Sequence, residues 1–364
     1  MLTILHTEAS PGWGGQEIRI LTEACAFAKR GFRVILACQP ESPLAGAARR
    51  EGLPVRPLPM RSAVDVLACS QLRRLMRSER VDLVHTHSSI DAWLAGFAAR
   101  SLRLPVVRSR HVSIPVKRGR NFVYNALSDY IISSGEAIRD VLIAGGVHAE
   151  KIVPIPAGVD RRRFYSNLSG EAVRQEFGWH GPVVGTVAMF RSSKGHGVLL
   201  RAVPQVLQAA PEAVFVWVGD GIGREGLERE IAEAGLSAKI HLTGFRADVP
   251  ALLAAMDVFV LPSIKSDGVP QSILQALAMQ KPVIATAVGG IPEVVQHQRT
   301  GMLVPPYDPQ ALAEAILYVL QHAGQAAAWA QAGEALVDSH YSLHHAIDRT
   351  AAVYAKVLVE KGLV

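Results

Sequence analysis

The chain is poor in several things, and each shortage argues against a class of protein. It has three cysteines in 364 residues, Cys25, Cys38 and Cys69, at scattered positions. An odd number without ligand-type spacing argues against a disulfide framework or a structural zinc site, and fits a reducing compartment. Aromatic residues are only 6% of the chain. No helix-turn-helix, zinc-finger or RNA-binding signature accompanies them, so nucleic acid is not an expected partner. No apolar run reaches the ~18 residues that a membrane span needs. The first residues enter a strand-like run without a basic stretch and an apolar core, so no signal peptide is expected and the location is expected to be cytoplasmic. G-x-G-x-x-G is missing after the first strand, which disfavours dehydrogenase-type dinucleotide binding.

What is present is apolar and periodic. Hydrophobic residues are 49% and charged residues 19%, the balance of an α/β enzyme with buried parallel strands. The length exceeds what one hydrophobic core usually serves, which predicts two domains. Strand-like runs at 2–6, 33–37, 55–58, 81–86, 106–109, 130–133 and 152–155 form a first set. A second set lies at 183–187, 213–219, 240–243, 258–261, 283–286 and 302–304. Helical patterns such as 15–30, 66–80, 195–208 and 309–321 separate them. This alternation predicts two Rossmann-like doubly wound domains, each a parallel sheet with helices on both faces. The rhythm pauses between 157 and 182, in a stretch rich in turn formers. The expected division is therefore 1–165, 166–340 and a terminal segment, 341–364, whose helix packs back on the first domain.

Charge is uneven. The net charge is +6. Arg100, Arg103, Arg108, Arg110, Lys117, Arg118 and Arg120 crowd together, and Arg73, Arg74, Arg77 and Arg80 form another group. Such a face is either simply solvated or attracts an anionic membrane surface or a phosphorylated substrate. Val112, Ile114, Pro115, Val116, Phe122, Val123 and Tyr124 intersperse apolar groups among the first set, as a peripheral membrane contact requires.

The motifs sit where strands end. T-E-A-S-P-G-W-G-G-Q-E, residues 7–17, follows the first strand. Its Gly14 and Gly15 allow close backbone approach to a ligand at a helix N-terminus. V-H-T-H (84–87) and S-R-H (109–111) close two further strands. His87, Arg110 and His111 there are candidates for holding sugar hydroxyls or a leaving phosphate. No third ligand at metal spacing accompanies the histidines, so no metal site is expected. V-G-T-V-A-M-F-R-S-S-K-G-H (184–196) opens the second half. Arg191 and Lys194 beside a helix N-terminus make a cradle for a diphosphate. Gly219 in W-V-G-D-G (217–221) and the loop T-G-F-R (243–246) fit close approach to a nucleotide. Residues 263–279, S-I-K-S-D-G-V-P-Q-S-I-L-Q-A-L-A-M, form a polar loop and a helix between two strands. A-V-G-G-I-P-E (287–293) and T-G-M-L-V-P-P-Y-D (300–308) follow.

Taken in order, these motifs resemble glycosyltransferase family 4, retaining enzymes of the GT-B fold. The resemblance covers nearly the whole chain and is densest from 152 to 308, with I-P-A-G-V-D (155–160) as the family's linker entry. It implies a nucleotide-diphosphate sugar as donor, no metal or other cofactor, an acceptor-binding first domain and a donor-binding second domain facing it across a crevice. It implies Asp267, His111, Lys194 and Arg191 as catalytic residues. Gly14, Gly15, Lys194, Arg191, Gly219, Phe245, Gly268, Val269, Pro270, Gln271, Ser272 and Gln275 are implied for the donor, and His87, Arg110 and His111 for the acceptor. Three positions depart from the family pattern. Met189 stands where an arginine is usual, with Arg191 close by, and Asp267 and Gln275 stand where the family has two glutamates. By analogy the acceptor is a cell-envelope glycan or glycolipid, such as lipopolysaccharide core, reached from the inner face of the cytoplasmic membrane. Another GT-B enzyme, a phosphorylase or nucleotide-sugar epimerase, and a non-catalytic nucleotide-sugar binder are the alternatives.

Overall fold

The computed structural model describes every residue except Arg118, Arg120, Ser266 and Val364. It contains thirteen strands among the described residues, at the places where the apolar runs put them. β1 (Thr3–Glu8), β2 (Arg33–Cys38), β3 (Val55–Pro57), β4 (Leu83–Thr86), β5 (Val106–Arg110), β6 (Tyr130–Ser133) and β7 (Ile152–Pro154) form one sheet. Its order is β3-β2-β1-β4-β5-β6-β7. β8 (Val183–Val187), β9 (Val214–Val218), β10 (Ile240–Gly244), β11 (Val258–Leu261), β12 (Val283–Thr286) and β13 (Met302–Val304) form the other, in the order β10-β9-β8-β11-β12-β13. All pairings within both sheets are parallel. A parallel sheet needs both faces covered, which is why its strands read as continuous apolar runs.

Helices supply the cover. In the first unit, Gly15–Lys29, Pro43–Arg50 and Leu343–Glu360 pack on one face, with Ile20, Phe27, Leu44, Tyr354 and Val357 fully buried among them. Val66–Ser78, Ser89–Arg100 and Glu136–Ala144 cover the other. In the second unit, His196–Ala209, Arg224–Glu233 and Pro309–Gln321 take one face. Glu171–Phe177, Val249–Ala255 and Gln271–Ala278 take the opposite one. Each fully buried large side chain contributes roughly 1.5–3 kcal/mol.

The units are Met1–Ala157 with Leu343–Val364, and Gly158–Ser342. The last helix thus belongs to the first unit, where the Tyr354 ring lies 5.1 Å from that of Phe27. The first boundary falls earlier than the turn-rich stretch suggested. Val159 donates its backbone N–H to Tyr341 at 2.8 Å, and Val159 and Phe164 pack into the second core.

Each sheet reverses its winding once, between β1 and β4 in the first and between β8 and β11 in the second. In doubly wound sheets, the carboxyl ends of the strands at this switch point are where ligands bind.

Candidate active site

At the switch point of the second unit stand the loops that follow β8 and β11. The β8 loop makes a single 3-10 turn, Ser192–Lys194, and then Gly195 at φ 74°. A side chain on Gly195 would begin 1.8 Å from the Pro262 carbonyl oxygen, so only glycine lets the two loops meet. Ile264 N–H donates to Ser193 O at 3.0 Å and completes the junction. The result is an ion pair in which Lys194 Nζ donates to Asp267 Oδ2. Both side chains are mostly buried, at 12% and 27% exposed. Screening by water is weaker there than on an open surface.

The neighbouring loops are laced to this junction. Gly219 donates to Gly244 O at 3.0 Å and Phe190 to Asp220 O at 2.9 Å, joining the loops after β8, β9 and β10. Gly219 has φ 144°, and a side chain there would meet Ala188 O at 2.0 Å. Gly290 N–H donates to Asp267 O at 2.9 Å, so G-G-I-P-E braces the Asp267 loop. Gly268, Val269 and Pro270 are buried and lead into helix Gln271–Ala278, with Gln271, Ser272 and Gln275 half-buried on it. Phe245 is 62% exposed. Arg191 is exposed and does not join the ion pair. It lines a cavity of about 420 Å³ with His196, Arg201, Gly223 and Tyr307. Met189 is also exposed.

The first unit has its own cluster at its switch point. His6 ends up beside His85 and His87 because Thr7 pairs with Thr86 across β1 and β4. His6 Nδ1 lies 2.9 Å from His87 Nε2, and His87 Nδ1 lies 3.2 Å from His111 Nε2. His87 is buried, and both of its ring nitrogens are taken up by histidines. It therefore stands behind His111 instead of offering a free nitrogen of its own. His85 bonds Tyr354 Oη at 2.6 Å and Ser109 Oγ at 2.9 Å. Burial drives His6 down to about 3. It also holds His85, His87 and His111 well below the ordinary histidine value, helped by neighbouring cationic groups such as Arg19. All four are neutral at pH 7.

Nitrogens of His6, His85 and His87 come within 4.8 Å of one another, a donor set that could hold a metal ion. The sequence offered no such third ligand, because His6 lies 81 residues before His87. The hydrogen bonds already engage every ring nitrogen of the three except His6 Nε2, which has no partner among the described residues.

A further carboxyl, not anticipated from the sequence, closes β1. Glu8 is buried and accepts from Ser10 N–H at 2.7 Å and from Gln16 Nε2 at 2.5 Å. Burial and then the nearby Asp91 push it up to about 8. Gly14 donates to Glu17 Oε2 at 2.9 Å and is extended, at φ −162°, a conformation open to any residue. Gly15 begins the first helix.

On the other face of β5, Arg108 stacks over the Tyr124 ring at 4.1 Å. Arg108 Nε and Nη1, Arg110 Nε and Ser134 Oγ are buried without partners among the described residues. Arg110 Nη2 donates to Ile114 O at 2.6 Å. Of the apolar residues interspersed here, Val123 and Tyr124 turn into the core, while Ile114 and Phe122 remain 67% and 48% exposed. Phe122 stacks on Trp93 at 5.8 Å. Arg118 and Arg120 lie outside the described residues.

Comparison with known proteins follows this division. The family model described as Glycosyltransferase Family 4 matches residues 13–163, and that described as Glycosyl transferases group 1 matches 181–322. Between them they span most of the chain. The 2-deoxystreptamine glucosyltransferase of Streptomyces kanamyceticus is 28% identical over 81% of this chain and 82% of its own. The UDP-Gal:alpha-D-GlcNAc-diphosphoundecaprenol alpha-1,3-galactosyltransferase of Escherichia coli is 26% identical over 87% and 88%. Among solved structures, Anabaena HepE in complex with UDP and glucose superposes with a TM-score of 0.89 at 21% identity, covering 98% of this chain and all of that one.

Proposed function

This chain belongs to glycosyltransferase family 4 and has the GT-B fold, and on that premise we propose that it moves a sugar from a nucleoside-diphosphate donor to a cell-envelope glycan or glycolipid, with retention at the anomeric carbon. The observation that carries this reading is the Lys194–Asp267 pair at the switch point of the second unit. A departing diphosphate needs positive charge at the oxygen it takes with it. Lys194 supplies that charge once it exchanges Asp267 for phosphate. The amide groups opening helix Gln271–Ala278 and Arg191 add to it. Asp267 then faces the cationic character that develops on the sugar. Gln275 accepts from a ribose hydroxyl as a neutral group, and Gly219 and Phe245 border the base. These cationic groups do the work a divalent ion does elsewhere, so turnover is expected to persist in EDTA.

For the acceptor, the reading rests on the first unit. His111 meets the reacting end and Arg110, from the other face of β5, the remainder of the acceptor, while Gly14 and Gly15 bring backbone close to the substrates. Guanidinium nitrogens of Arg108 and Arg110 that are buried without partners among the described residues favour an acceptor bearing a phosphate, because a buried N–H left without an acceptor is costly. The Escherichia coli relative acts on a lipid diphosphate by its name. Exposed Ile114 and Phe122, in a stretch of sequence rich in Lys and Arg, fit a lipid surface.

The test is product analysis with a panel of UDP- and GDP-sugars and lipid-phosphate acceptors. Transfer releases nucleoside diphosphate only when acceptor is present, and it is lost in Asp267→Ala and Lys194→Ala. Interconversion of two nucleotide sugars would establish an epimerase instead. Release of a sugar phosphate from a glycan by inorganic phosphate would establish a phosphorylase. A donor that binds but never turns over would indicate a binding protein.

A further inference from the structure

The histidine chain His6–His87–His111 has a direction. Each of its two N···N contacts, 2.9 and 3.2 Å, needs one N–H and one lone pair. A neutral imidazole has one of each, so the protons along the chain must all point the same way. Two arrangements exist. In one, His6 Nδ1–H donates to His87 Nε2, His87 Nδ1–H donates to His111 Nε2, and His111 carries its remaining proton on Nδ1. In the other, every proton points inward, His111 presents a bare Nδ1, and His6 carries a proton on Nε2.

The inner end decides between them. His6 is 1% exposed, and its Nε2 has no partner among the described residues. The second arrangement would leave a buried N–H with nothing to donate to, whereas the first leaves only an unused lone pair. Orphaned buried N–H groups are the rarer of the two in folded proteins. His85 cannot serve as an alternative link, since Tyr354 and Ser109 hold both its nitrogens. Asp91 fixes the middle of the chain by accepting the His87 backbone N–H at 2.9 Å.

We infer that His6 and His87 are positioning residues that lock His111 in its Nδ1–H tautomer, so that it offers the substrate a hydrogen-bond donor. This is the reverse of the Nε2–H form that a neutral histidine favours in water. It rests on the reading that His111 meets the substrate. The group it recognises is an acceptor of hydrogen bonds, a sugar hydroxyl oxygen or the oxygen of a departing phosphate. Because His6 Nε2 has no further partner among the described residues, the chain sets a tautomer and does not carry a proton away. His111 is accordingly a donor and not the base of the reaction.

Long-range 1H–15N correlation on histidine-labelled protein reads the tautomer directly, with the His111 resonances assigned by loss in His111→Asn. Protonated Nδ1 and bare Nε2 on His111 are expected. His6→Asn places an amide N–H near the Nδ1 position and should keep that signature, whereas His6→Leu should mix the two forms. In transfer assays with UDP-sugars, His6→Leu should lower kcat roughly tenfold with donor KM unchanged, and His6→Asn should restore it. A His111 protonated at Nε2 in the wild type would overturn the inference. So would one equivalent of zinc per chain in purified protein that is lost in His6→Asn. Full activity in His111→Ala, alongside the expected tautomer, would instead remove the substrate contact beneath it.

Discussion

At the scale of single residues, burial decides which groups matter, and burial is only partly legible in a sequence. V-H-T-H places His85 and His87 on one face of a strand by its period of two, and that much can be read in advance. His6 joins them only through the pairing of β1 with β4, which no local pattern announces. Glu8 was invisible for the same reason: T-E-A-S reads as the start of a polar loop, yet its carboxyl is buried and raised to about 8. A carboxyl whose folded value lies above its unfolded one stabilises the fold at low pH and loses that contribution as pH rises through the folded value. Raising pH from 6.5 to 8.5 should therefore cost the wild type roughly 2 kcal/mol of unfolding free energy through Glu8. Glu8→Gln should lack that loss in urea titrations, so the stability difference between the two proteins should change by roughly 2 kcal/mol over that range. A parallel decline in both proteins would mean that Glu8 is not the group involved. The four depressed histidines act with the opposite sign. Their contribution is complete above their unfolded value of about 6.5 and is lost on acidification, by up to roughly 1.4 kcal/mol per pH unit for each.

Secondary-structure elements were the most legible level. A parallel strand covered on both faces must be apolar throughout, and all thirteen such runs became strands. Helix Leu343–Glu360 was likewise evident from its periodicity. Helix Ala323–Leu336 and the π-helical turn that follows were not, because an alanine-rich segment carries little amphipathic signal. Closeness between loops is also hidden from sequence. The K-G dipeptide at 194–195 looks like an ordinary helix entry, but Gly195 is the point where the β8 loop touches Pro262. Gly195→Ala meets both a positive φ and a backbone oxygen, and should lose more than about 1 kcal/mol of stability. It should also weaken UDP binding, because Lys194 rides on the same turn. Urea unfolding and calorimetric titration with UDP check the two effects. Unchanged values in both would show that the junction tolerates a side chain.

At the scale of the whole molecule, two doubly wound units each expose one switch point, and the candidate residues gather at both. One holds the cation and carboxylate suited to a nucleoside diphosphate. The other holds a neutral histidine chain, with Arg108 and Arg110 on the opposite face of β5. Exposed Ile114 and Phe122, in a segment whose sequence is rich in Lys and Arg, predict binding to vesicles containing anionic phospholipid at low salt and release at high salt, since exposed charges are screened within about a Debye length. Phe122→Ser should weaken the association in sedimentation assays. Equal binding to neutral vesicles, or binding that survives high salt, would contradict an electrostatic contact.

Thermal unfolding with nucleoside diphosphates tests the proposed donor role of the Lys194–Asp267 site most directly. A ligand present at about 100 times its dissociation constant adds about 2.7 kcal/mol of stability. UDP or another nucleoside diphosphate should raise the unfolding midpoint of the wild type, and Lys194→Ala should abolish most of the rise. No shift with any nucleoside diphosphate, or a full shift in Lys194→Ala, would contradict it.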